Sequence, residues 1–139
     1  MQLLTIVDSG PLIALFNRSD QHHAICRNLL MDTSRQFVVP ALCIAESAYL
    51  LNARSGWKAE AEFVERVQSL DIQLPLATEW PRIARLIRQY ADFPLGAVDA
   101  SVIVLAERLN ATTIATLDHR HFRAVRPAHV GSFTLLPEL

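Results

Sequence analysis

Lysine is almost missing from this sequence: twelve of its thirteen basic residues are arginine, and Lys58 stands alone. The arginine fork matches phosphate and carboxylate as an ammonium does not, but genomic base composition skews the same ratio, so the bias assigns no partner. Net charge is nearly absent too, at −1, which excludes a whole-molecule field that would draw the protein to a polyanion. Any hold on nucleic acid must therefore come from local charge. Cysteine is scarce: Cys26 and Cys43 both lie in apolar helical patterns, with no C-x-x-C pair and no Cys/His array at zinc spacing. That argues against a disulfide scaffold or zinc module and leaves two reduced core thiols of a cytoplasmic protein. No apolar run reaches the roughly 18 residues of a membrane span, and the opening MQLLTIVDSG has no basic region leading into a long apolar stretch. No membrane association is expected. Repeats, low-complexity tracts and linkers are also lacking. With 139 residues, 51% of them hydrophobic, one domain spanning 1–139 with a substantial core is expected.

What is present alternates. LLTIV reads as a buried strand and GPLIALFNR as a helix with Pro11 in its first turn. Asp20 is placed to cap a helix over QHHAICRNLLMD. QFVV is a short strand, and Pro40 opens an apolar helix, PALCIAESAYLLNAR, closed by Gly56. KAEAEFVERVQSL is amphipathic, with a stripe of Ala61, Phe63, Val64, Val67 and Leu70. DIQLPL is a short strand, and Thr78 is placed to cap TEWPRIARLIRQYA. The turn DFPLGA, where Asp92 precedes Phe-Pro, leads to the helix VDASVIVLAERL, stopped by Asn110. A strand TTIAT, a turn LDHRHF and a strand near SFTLL follow. His22 and His23, near a helix start, read as surface residues. This order predicts an α/β fold, a mainly parallel sheet with helices on both faces.

In open parallel sheets, ligand sites form beyond the carboxyl ends of the strands. Asp8 follows the first strand and Asp118 follows TTIAT by one residue, so both are expected at that rim. Glu46 interrupts an apolar helix, on the face of Leu42, Ala45 and Tyr49, with its nearest cationic candidate, Arg54, two turns away. A buried carboxylate needs a cation, donors or a raised pKa. Asp99 lies in a helix's first turn. Taken singly, turn or capping roles account for Asp8, Asp99 and Asp118. Taken together the four raise a problem of repulsion, because two carboxylates about 4 Å apart repel by roughly 4 kcal/mol at an effective dielectric of 20. A cation between them relieves it. An all-oxygen set without His or Cys suits Mg²⁺ or Mn²⁺, and such an ion can polarise a phosphodiester and activate water.

The segments IVDSGPLIAL, CIAESAYLL, FPLGAVDASVIVLAERL and IATLDHRHF, in this order, resemble the PIN-domain ribonucleases, specifically the VapC toxins of bacterial type II toxin-antitoxin systems. The resemblance runs from the first strand to SFTLLP. It implies a PIN-like three-layer fold, Mg²⁺-dependent endonucleolytic cleavage of RNA, a homodimer and neutralisation by a VapB-type antitoxin. Matched position by position, the family's acidic quartet falls on Asp8, Glu46, Asp99 and Asp118. Ser9 takes the small hydroxyl position after the first acid, and Thr116 matches the T-x-D element. By analogy, the antitoxin would rest on the first helices and the AESAYLL helix.

Beyond Asp118, the segment DHRHFRAVRP places His119, Arg120, His121, Arg123 and Arg126 where an RNA phosphate could be gripped, or in a solvated basic loop. Competing functions are an aspartyl phosphotransfer domain, a non-catalytic RNA-binding or protein-interaction module, and an RNA-processing nuclease without an antitoxin. The first is weakened by D-S-G in place of D-x-D-x-[TS] and by Lys58 lying away from the rim.

Overall fold

The structure, a computed structural model, describes residues 2–139. Five strands, β1 (Leu3–Val7), β2 (Arg35–Pro40), β3 (Ile72–Gln73), β4 (Thr113–Ala115) and β5 (Thr134–Leu136), form one sheet of order β3-β2-β1-β4-β5. Every pairing is parallel. The helices are α1 (Ser9–Phe16), α2 (His23–Leu30), α3 (Ala41–Ser55), α4 (Trp57–Arg66), α5 (Trp80–Gln89), α6 (Ala97–Leu109) and α7 (His119–Ala124). The chain runs outward from β1 to β2 and β3, then returns to β1's other side for β4 and β5. The order therefore reverses at the β1–β4 pair, where Val7 lies opposite Ala115, and there the carboxyl ends of parallel strands open a crevice.

The core gathers around that pair. β1 is most buried at its carboxyl end, with Ile6 and Val7 fully enclosed. Helix α6 is buried continuously from Ala100 to Ala106, as its all-round apolar sequence requires; it packs against β1, β2, α3 and α5. Asn110 ends it in a left-handed conformation (φ 54°), which Asn tolerates. Phe63 of α4 is fully buried, edge-on to Phe16 of α1, and enclosing such a ring contributes about 3 kcal/mol. Both cysteines are buried free thiols. No helix among the described residues is long and apolar enough to cross a membrane.

Several local expectations are corrected. LDHRHF is the start of helix α7, not a turn; a short polar helix with only Phe122 buried carries no hydrophobic period to announce it. Thr78 does not cap α5. It lies in a 3₁₀ turn, Ala77–Glu79, and Glu79 accepts the Leu76 N–H (2.8 Å) instead. On α4, Phe63 faces inward while Ala61 and Val64 are exposed. His23 is tied down, its Nδ1 donating to the Ala14 carbonyl (2.8 Å). Asp20 does not cap α2, whose N-cap position is His22; its carboxylate accepts His22 N (2.8 Å) and closes the turn before the helix. On α3 the buried row is Cys43, Ser47 and Leu51, whereas Ala45 and Tyr49 are exposed. Apolar residues cover more than one face of this helix, so periodicity alone did not choose the inner one. Glu46 consequently stands half-buried beside the core row rather than within it.

Candidate functional site

The crevice begins with Asp8. It occupies the position before α1, yet its side chain makes no capping hydrogen bond. The fully buried Thr116 donates its hydroxyl to one Asp8 oxygen (2.8 Å), and the Cys43 thiol approaches the other (3.8 Å). The same Thr116 oxygen accepts the Asp118 N–H (3.0 Å), so one hydroxyl links the two acids that end β1 and β4. The Ser9 hydroxyl does not bond to Asp8; it donates to the Cys43 carbonyl (3.4 Å) and pins the start of α1 to α3. Burial pushes the Asp8 carboxyl up to about 6, with like charge from Asp99 and Glu46 adding to it. The Ser9 N–H and the Thr116 hydroxyl offset part of that rise.

Asp99 lies in the first turn of α6 without capping it. Its carboxyl is also held above the ordinary range, by burial first and then by the charges of Asp118 and Glu46, against which His121 acts. Asp118 does cap its helix. One of its oxygens accepts His121 N (3.2 Å) and the other meets His121 Nδ1, so the turn role that the sequence allowed and a place at the rim coincide in one residue. The His121 ring in turn rests on Phe93 (centroids 4.8 Å apart), from the turn preceding α6.

Asp8, Glu46, Asp99 and Asp118 line one cleft of about 470 Å³, together with Ser9, Ile13, Leu50 and Leu117. Asp20 and Arg54 line it as well. Neither stands out as a site residue in the sequence, where Asp20 reads as a helix cap and Arg54 only as a distant partner for Glu46. Arg120, Arg123 and Arg126 are not on its walls. Arg120 lies over the Phe93 ring (5.5 Å), Arg123 borders a separate depression with His119 and Glu138, and Arg126 donates to the carbonyls of Arg123 and Val125.

Among the described residues, no three His, Cys, Asp or Glu side chains converge into a closed ligand set. A cage of that kind is what zinc needs. Magnesium is bound through one or two carboxylates and keeps several waters, and an open cleft whose acids raise each other's pKa has the donor chemistry to take it.

Comparison with known proteins places the chain. The PIN domain family matches residues 5–127. Ribonuclease VapC26 of Mycobacterium tuberculosis is 34% identical over 134 residues, 95% of this chain and 99% of that protein. Among solved structures, M. tuberculosis VapC20, described as a sarcin-ricin loop cleaving toxin, superposes with a TM-score of 0.73 at 18% identity, over 79% of this chain and 86% of its own. VapBC2 of Rickettsia felis, bound to a promoter DNA fragment, gives 0.68 at 13% identity, over 97% and 100%. Both share the three-layer fold with its parallel sheet. The chain belongs to the PIN-domain family and to its VapC group.

Proposed function

We propose that this chain is a Mg²⁺-dependent endoribonuclease, a single PIN domain over residues 1–139, acting as the toxin of a VapBC-type toxin-antitoxin system. The observation that carries the reading is the meeting of Asp8, Glu46, Asp99 and Asp118 on one cleft at the reversal of the strand order. The VapC26 ribonuclease that this chain resembles over 95% of its length supports the same activity. Asp8, Glu46 and Asp99 would hold the ion, and Asp118, whose oxygens are engaged by His121, would complete the set. Mn²⁺ can take the place of Mg²⁺.

When bound, the ion supplies Lewis-acid polarisation of a phosphodiester oxygen and a water of lowered pKa. The chain's own residues prepare for this. Thr116 fixes the rotamer of Asp8 and the backbone of Asp118 with one hydroxyl, and Ser9 holds α1 against α3 so that Asp8 and Glu46 keep their spacing. Burial and mutual repulsion hold the Asp8 and Asp99 carboxyls above their ordinary range, and a cation among the acids would relieve both. Arg120, Arg123 and Arg126 serve RNA that runs past α7 beyond the cleft. The partners under this reading are an RNA substrate, a VapB-type antitoxin and a second copy of the chain.

The test is cleavage of RNA by purified protein with Mg²⁺, and mapping of cleavage sites after induced expression. Asp8→Asn should remove Mg²⁺-dependent cleavage, a loss of at least 100-fold by analogy with other electrostatic active-site groups, while circular dichroism stays native. Full activity in folded Asp8→Asn would refute the assignment.

A further inference from the structure

Five carboxylates line the cleft, Asp20 among them, and repel an RNA backbone that must enter it. A bound divalent ion serves the phosphate at which it sits, but its neighbours still have to lie against acidic walls. One basic side chain lines the same cleft, Arg54. It is exposed, in the last turn of α3, and among the described residues no carboxylate lies within 4.0 Å of it. Arg35, Arg66, Arg82 and Arg108 are paired with acids, and the remaining arginines, Arg18, Arg27, Arg85, Arg88, Arg120, Arg123 and Arg126, lie off the walls of the cleft. A guanidinium left uncommitted at the mouth of an acidic cleft is placed to receive an anion, and its fork fits a phosphate with two parallel N–H donors.

Position on the helix says which phosphate. Arg54 follows Glu46 by eight residues, about 12 Å along the axis of α3. That separation sets it beyond the acids. We propose, on the nuclease reading given above, that Arg54 grips an RNA phosphate flanking the one that is cut, and so gives the cleft its preference for a chain of several nucleotides over a single phosphodiester. Arg54 is a binding residue here and takes no part in bond breaking.

The experiment compares wild type, Arg54→Gln and Arg54→Lys. Binding of a fluorescent single-stranded RNA twelve-mer is followed by anisotropy in EDTA, which keeps the RNA intact and makes the readout independent of metal-loaded activity. Arg54→Gln should bind about tenfold more weakly at low salt, with a slope of log K against log salt about 0.7 shallower, the value for one single-strand phosphate contact; Arg54→Lys should recover part of both. With Mg²⁺, the kcat/KM advantage of a hexanucleotide over a dinucleotide should shrink about tenfold in Arg54→Gln, through KM rather than kcat. Unchanged affinity and slope in a variant whose parent binds and cleaves RNA would overturn the proposal alone. So would a fall in kcat on both substrates together with a lowered melting temperature, which marks a structural role. A wild-type chain that neither binds nor cleaves RNA would instead overturn the nuclease reading on which the proposal rests.

Discussion

Asp8 ionises at the cost of the fold's stability. Its carboxyl is buried and titrates at about 6 rather than 3.8. Below pH 3.8 it is protonated in both folded and unfolded chains and costs nothing. Between 3.8 and 6 the unfolded chain ionises while the folded one resists, and above 6 the penalty is complete, roughly 3 kcal/mol. Metal-free protein should therefore lose stability as pH rises through that window. Asp8→Asn removes the charge but keeps an oxygen for the Thr116 hydroxyl, so in EDTA at pH 8 it should be more stable than wild type by about 1–3 kcal/mol, several degrees in Tm. Thermal melts at pH 4 and pH 8 check this: the gain should be present at pH 8 and vanish at pH 4, and equal gains at both would show that charge is not the cause. Taken alone in the sequence Asp8 reads as a turn or cap; it stands out only beside Glu46, Asp99 and Asp118 and through the resemblance their segments carry. What it bonds to is not legible there, since Thr116 is 108 residues away along the chain. Arg54 does not stand out in the sequence, because an arginine near a helix end looks ordinary until the cleft it borders is known.

Elements differ in how plainly they announce themselves. β1, β2, α3 and α6 are long enough in apolar residues, and sharply enough bounded by Asp8, Pro40, Gly56 and Asn110, that their existence and order followed from pattern alone. The face of α3 did not, because its apolar residues outnumber those that one face can bury. Nor did α7, whose main tie to the fold besides Phe122 is the capping of its start by Asp118. At Gly10, α1 closely approaches the loop after β4. A Cβ added at Gly10 would lie 3.2–3.4 Å from the Leu117 side chain, closer than such atoms ordinarily sit, so Leu117 must give way and carry its neighbour Asp118 with it. Replacing helical Gly by Ala favours the helix by about 1 kcal/mol, which offsets the crowding. Gly10→Ala is expected to change stability by less than about 1 kcal/mol yet to cut RNA cleavage several-fold. Denaturation and cleavage rates measured on the same preparation decide it, and a variant that cleaves at the wild-type rate would show that the rim tolerates the shift.

At the scale of the whole molecule, the sheet order puts five carboxylates, against Arg54 and the His121 ring, at the place where two parallel strand ends open away from each other. A cation that binds these acids only in the folded state would stabilise the fold by mass action. At ten times its dissociation constant, Mg²⁺ would add about 1.4 kcal/mol, or about 5 °C in Tm for a chain of this size. The gain should grow with pH, because Mg²⁺ requires Asp8 ionised and competes with its proton. Differential scanning calorimetry of wild type at pH 5 and pH 8, with and without Mg²⁺, should give a small shift at the first pH and the full shift at the second. Asp8→Asn starts from a higher metal-free Tm and should gain little from Mg²⁺ at either pH, so that the order of the two proteins narrows or reverses when metal is added. An equal Mg²⁺ shift in both would place the ion's principal contacts away from Asp8, and the cleft's charge would then need a different account.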